Sequence, residues 1–282
     1  MKTKRLIALL CVMAMFTCLF AGCGSTPTPI DATHTPESTP TPESTPVPET
    51  PTPTPVEPTP NVKAEFTYNY DVIDEEAKTA ILRTIILPDG VRKSDVTELV
   101  LPSEVDGYTV VGIGWDVFGK IHSGGLSDDN WLEKVTFPAT VEFFENSVFR
   151  EAHLCKEIIF ENEANIKYID NAAFRETVWE EQRAAETGFS VVNGIITGIY
   201  DCGDIVIPDG ITAISGRPFQ TTGYADYVTS VTIPNSVTYI KELFYDVDEN
   251  AIVKCQAGSY AEQWCIENGV KYELYEIITI VD

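Results

Sequence analysis

The feature that most constrains this chain is a proline, isoleucine and phenylalanine register that recurs along it. IPDGITAISGRPF occupies 207–219 and IPNSVTYIKELF occupies 233–244, with Pro208 and Pro234 26 residues apart. Five copies align: 96–118, 132–149, 154–174, 204–219 and 228–244. Pro102, Pro138, Pro208 and Pro234 stand at one position, which Glu161 takes in the third copy. The last Phe follows an apolar residue by five positions in four copies (Ile113 to Phe118, Phe144 to Phe149, Ile169 to Phe174, Ile214 to Phe219), and by four from Ile240 to Phe244. Before each proline the residues alternate, as Val231 and Ile233 do with Ser230 and Thr232, which predicts a short strand. Proline ends it by removing a donor and fixing φ. The next apolar residues return to the same interior from a turn or second short strand, and the Phe closes the unit. The few anchors of one copy cannot offset the entropy of ordering some twenty residues, so copies must stack and share a core.

This pattern resembles the BspA-like leucine-rich repeat, whose consensus is close to Leu-x-x-Val-x-Ile-Pro-x-x-Val-x-x-Ile-x-x-x-Ala-Phe. The match spans 96–274. The resemblance implies a β-rich leucine-rich-repeat solenoid of short strands with few short helices. GFSVVNGIITGIYDCGDIVIPDG at 188–210 is similar to a family element in which a hairpin leads into a fresh repeat, and GSYAEQWCIENGVKYEL at 258–274 resembles the closing segment of such arrays. In that segment Ser259 and Glu262 form a capping box, Gly269 stops the helix, and Tyr260, Ala261 and Trp264 offer an apolar side. VWEEQRAAE within 175–187 predicts a short inserted helix, and 61–95 N-terminal capping strands. The repeats are expected over 96–250 and the C-terminal cap over 251–282.

Ahead of the repeats, Lys2, Lys4 and Arg5 precede an apolar run from Leu6 to Phe20, too short for a membrane span and typical of a signal peptide over 1–22. The run ends in LFAGC, which resembles a bacterial lipobox with Cys23 as the lipidated residue, although Phe20 stands where that motif usually has Leu. Residues 23–60 hold the lipidated Cys and a Thr/Pro-rich linker with almost nothing apolar to bury. As polyproline II at ~3.1 Å per residue, 24–60 reach roughly 110 Å, enough to pass through a cell wall. The expected location is extracytoplasmic, on the outer face of a bacterial membrane through the lipid anchor.

The chain has a formal net charge of −24, and the signal removes only basic residues. Nucleic acid and anionic lipid surfaces are therefore poor partners. Catalysis lacks parts: the three histidines are His34, His122 and His153, and neither a Gly-x-Ser-x-Gly elbow nor a His-Glu-x-x-His pair is present. GIGWDVFG at 112–119 has the wrong glycine spacing for a dinucleotide site. Asp128 and Asp129, beside Gly124 and Gly125, offer too few oxygen ligands for Ca²⁺. Beyond the signal and Cys23, the cysteines are Cys155, Cys202, Cys255 and Cys265, with no C-x-x-C pair for zinc. Cys155 and Cys265 sit where small apolar residues would serve and read as buried thiols. No metal, cofactor or enzymatic activity is expected.

In a stacked array the strand residues that alternate with the core form a ladder on one face: Glu98, Val100, Lys134, Thr136, Glu157, Ile159, Asp204, Val206, Ser230 and Thr232. Solenoids commonly bind along such a surface. The resemblance implies adhesion or surface interaction, and the expected partner is an extracellular protein or glycan, met by the chain as a monomer. The alternative is a structural spacer of the envelope whose ladder only satisfies strand preference.

Overall fold

The computed structural model describes residues 66–118, 132–150, 152–219, 225–244, 247 and 250–276. The signal, Cys23, the linker, His34, His122 and the Asp128 and Asp129 pair lie outside the described residues. Among the described residues, no helix is long and apolar enough to cross a membrane.

An antiparallel pair opens the described chain, β1 (Thr67–Asp74) with β2 (Thr79–Ile86). The first copy forms β3 (Glu98–Val100), β4 (Glu104–Val105) and β5 (Tyr108–Ile113). The second forms β6 (Lys134–Phe137) and β7 (Phe143–Phe144), and the third β8 (Glu157–Phe160) and β9 (Tyr168–Ile169). An insertion follows, made of helix α1 (Val178–Ala184) and the hairpin β10 (Phe189–Val192) and β11 (Ile195–Ile199). The fourth copy gives β12 (Gly203–Val206) and β13 (Ala213–Ile214), and the fifth β14 (Val228–Thr232) and β15 (Tyr239–Ile240). The chain closes with β16 (Ile252–Cys255), α2 (Tyr260–Asn268) and β17 (Tyr272–Leu274).

Each copy thus supplies one strand before its proline, or before Glu161 in the third, and a two-residue strand, or the end of β5, after it, and like strands pair in parallel. The first kind makes β3-β6-β8 and, with β16 and β17, the sheet β12-β14-β16-β17. The second extends the antiparallel β1-β2 pair into β1-β2-β5-β7-β9, with β4 antiparallel on β5, and the β10-β11 hairpin into β10-β11-β13-β15. The core lies between the two kinds: Phe137 of β6 and Phe144 of β7 meet edge to face at 4.9 Å. The substitution of Glu161 for proline in the third copy has a use. Its N–H donates to Phe137 O at 3.1 Å, a bond proline cannot make, and its carboxylate accepts from Ala139 N at 3.0 Å.

One regularity recurs two residues before the closing Phe. Asp116, Ser147, Ala172, Arg217 and Glu242 all have positive φ, between 43° and 59°. This left-handed corner costs an L-residue ~1–2 kcal/mol. It turns the next residue inward, so Val117, Val148, Ala173 and Leu243 are buried. Phe118, Phe149, Phe174 and Phe219 follow into the core. In the fifth copy, one residue shorter, Leu243 is the fully buried closer and Phe244 only packs against the core edge.

The insertion divides the core. Thr177 caps α1, its hydroxyl accepting from Glu180 N at 3.1 Å. Asn193 and Gly194, at φ 44° and 75°, make the tight turn between β10 and β11. Every residue of β11 is buried, as befits a strand covered on both faces. Val192 and Ile195 join the N-terminal core, while Phe189, Ile196 and Ile199 join the C-terminal one. Asn193 Nδ2 ties the hairpin to the third copy through Ile166 O at 2.8 Å.

At the C-terminal end, Ser259 caps α2, and Gly269, at φ 67°, ends it. Glu262 reaches Gly258 N at 2.6 Å, one residue before the partner of a standard capping box. The buried side of α2 is Ala261 and Cys265, four apart on one face, with Trp264 half-buried; Tyr260, expected inside, lies off that face and is exposed. The parallel ladder runs on past residue 250 through β16 and β17, which the proline register could not reveal because neither strand is followed by proline.

Candidate functional site

Pairing in register places the ten ladder residues on two sheets. Six share the first: Glu98 opposite Lys134 opposite Glu157, and Val100 opposite Thr136 opposite Ile159. Four share the second: Asp204 opposite Ser230, and Val206 opposite Thr232. The insertion separates the two sets, so the single ladder expected from sequence is two shorter ones.

On the first sheet the charged row alternates in sign, and Lys134 Nζ lies 3.0 Å from Glu157 Oε1. The Glu157 bond raises the Lys134 pKa. Beside it runs a row with exposed apolar groups, Val100 at 69% exposure and Ile159 at 36%, flanking Thr136. On the second sheet Val206 is likewise 64% exposed. Asp204 Oδ1 accepts from Ser230 Oγ at 2.6 Å and Thr229 Oγ1 at 2.8 Å, bonds that hold its pKa low, with Lys254 at 3.8 Å adding to the effect. Ser230 is buried, and its hydroxyl is spent on Asp204, so it presents nothing to solvent. Lys254 and Glu273 extend the Val206 and Thr232 row, and Ile252 extends the Asp204 and Ser230 row.

The sheets across the core carry a second ladder that the sequence reading passed over. Its row pairs Gly112, Phe143 and Tyr168 on one sheet, and Ile195, Ala213 and Tyr239 on the other; Phe143, Tyr168, Ala213 and Tyr239 reach the surface, whereas Gly112 and Ile195 are buried. The Phe143 ring lies where a Gly112 Cβ would be, 2.2 Å from Cζ. Next to this row, Arg83 bridges Asp71 at 2.6 Å and Glu145 at 2.5 Å. The signal for this ladder was present, since each aromatic immediately precedes an inward apolar residue of its copy. Elsewhere, His153 pairs with Glu176 at 3.5 Å, and among the described residues no group of His, Cys, Asp or Glu is placed to hold a metal ion.

The BspA type leucine-rich repeat region matches residues 120–252 in six copies. No curated protein matches the chain. Among solved structures, a leucine-rich repeat protein of T. pallidum is 17% identical, with 73% of this chain and 95% of that one covered and a TM-score of 0.34. A leucine-rich repeat protein of Bacteroides capillosus is 17% identical over 62% of this chain and 94% of that one, with a TM-score of 0.32. The pneumococcal vaccine antigen PcpA is 10% identical over 74% and 97%, with a TM-score of 0.23. None of these matches indicates an enzymatic family. The register of proline and phenylalanine, the paired short strands it produces and the six matched copies agree, and the array carried by this chain belongs to the BspA-type leucine-rich repeats.

Proposed function

We propose that this chain is a bacterial surface lipoprotein that acts by binding rather than by catalysis. It is held at the membrane by acyl-Cys23 and carried outward by the Thr/Pro stalk of 23–60. Its repeats contact an extracellular protein or glycan as a monomer. The observation that supports this reading is the first-sheet ladder, where exposed Val100 and Ile159 stand in register beside the Glu98, Lys134 and Glu157 row. Exposed apolar groups rimmed by charge are the usual make-up of an interaction surface. BspA-type repeat proteins are typically bacterial surface proteins, which fits the signal and Cys23 at the N-terminus. The test is binding of the purified intact chain to a glycan array and to host or neighbouring-cell surface extract, beside a variant with Lys134, Glu157 and Ile159 all changed to Ala. A saturable partner lost in the variant supports the ladder as a binding face.

A second reading, a structural spacer of the envelope, draws on the internal pairing of the ladder charges, Lys134 with Glu157 and Lys254 with Asp204. It predicts that the folded chain stays silent across proteins and glycans.

A further inference from the structure

The second ladder breaks where β9 ends one sheet and β11 lies in the next. Side chains do not fill the break. A cavity of about 270 Å³ remains, walled by Tyr168, Ile169, Ile195, Ala213 and Tyr239, with Ser215 and Lys167 completing it. The two tyrosine rings stand 6.2 Å apart at 71°, offering one face and one edge. Ser215 is 1% exposed, and its Oγ has no hydrogen-bond partner. A buried hydroxyl left unmatched in this way is uncommon.

The charges at the rim are matched. Lys167 pairs with Glu142 at 2.8 Å, and Lys241 pairs with Asp170 while lying 3.0 Å from Tyr168 Oη. A charged ligand would have to compete with one of these pairs. A purely apolar ligand would leave the Ser215 hydroxyl unmatched. What the walls ask for is a neutral ring with apolar C–H faces and hydroxyls on its edge. The volume, just under the ~300–1,000 Å³ usual for small-molecule sites, suits a single such ring.

We propose that this cavity binds one neutral sugar residue, seated against Tyr168 and Tyr239 with a hydroxyl reaching Ser215 Oγ. The site is independent of the first-sheet ladder, from which the core separates it. It gives the array a glycan contact whether or not the ladder binds.

Saturation-transfer NMR on the purified intact chain tests it, with methyl glycosides of glucose, galactose, mannose and N-acetylglucosamine as probes. Ring protons of at least one sugar should receive saturation. Tyr239→Ala should weaken that binding at least ~10-fold, Ser215→Ala a few-fold, and Tyr239→Phe should retain most of it. The triple ladder variant should bind the sugar like the unaltered chain, which separates failure of this site from failure of the ladder. Circular dichroism confirms that each variant is folded. The proposal is overturned if none of the four sugars binds, or if Tyr239→Ala and Ser215→Ala leave binding unchanged. It is equally overturned if N-acetylleucine amide occupies the cavity and the sugars do not.

Discussion

The carboxylate of Glu180 lies 3.0 Å from the hydroxyl of Tyr200 inside the insertion, with only 1% of the Glu180 surface exposed. Burial pushes its pKa up from 4.5 to about 7, against the opposing pull of the Tyr200 and Thr197 bonds. The folded chain therefore keeps a proton that the unfolded chain releases. The resulting stability is fully present below pH 4.5 and is lost as pH rises through about 7. The loss is on the order of 3 kcal/mol at most. Glu180→Gln should flatten this part of the profile and leave the variant more stable than the parent at pH 8. Thermal unfolding at pH 5 and pH 8 reads it, and parallel slopes in the two proteins would assign the titration elsewhere.

Gly216 sits against Asn171 so closely that an added Cβ would fall 1.5 Å from Asn171 Oδ1. Asn171 in turn donates from Nδ2 to Glu242 at 3.2 Å, linking the third copy to the fifth. Gly216→Ala should cost ~1–3 kcal/mol by overpacking. In the Asn171→Ala background the same change should cost much less, because its obstacle is gone. Urea unfolding of the four proteins in the cycle measures this, and strictly additive costs would refute the steric account.

Phe137 is fully buried and stacks on Phe160 at 5.7 Å, with Phe144 edge-on at 4.9 Å. Phe137→Ala should cost ~3–5 kcal/mol. In the fifth copy the order of costs should run against the sequence pattern: Leu243→Ala costs ~2–5 kcal/mol, and Phe244→Ala clearly less. Denaturant midpoints that rank Phe244 above Leu243 would contradict the observed burial.

Among the four described cysteines, all free, only Cys202 is exposed. Burial pushes Cys155 and Cys265 up to about 12, so both stay protonated near neutrality. Brief alkylation at pH 7.5 followed by peptide mass mapping should modify Cys202 well ahead of Cys155, Cys255 and Cys265. Comparable labelling of Cys155 in folded protein would show that its cover opens readily.

The architecture was legible because proline, isoleucine and phenylalanine mark inward positions with residue types that burial itself selects. The left-handed corner was not legible, since Asp116, Ser147, Ala172, Arg217 and Glu242 share a backbone angle and no side-chain chemistry. The ladder on the first sheet followed from period-two alternation, but its division did not. That depends on β11 being covered on both sides, and IITGI alone cannot say which core each isoleucine enters. Ser230 shows the same limit. Alternation sets it outward, whereas the hydroxyl turns to Asp204 and is covered. The cavity at Tyr168 and Tyr239 was beyond reach for a further reason, because it depends on how side chains of the third and fifth copies come together over Ile195 and Ala213.

The hairpin between the two cores behaves as a splice. The isoleucine side chains of β11 divide between the cores, Ile195 to the N-terminal one and Ile196 and Ile199 to the C-terminal one, while its backbone pairs with the fourth copy through Ile195 and Ala213. The third and fifth copies also touch directly across the hairpin, Asn171 with Glu242 and Asp170 with Lys241, so a change in spacing beside it is felt in both arms. Gain or loss of a copy next to the hairpin would part these contacts, whereas one further out would leave them in place and alter only the reach of the array.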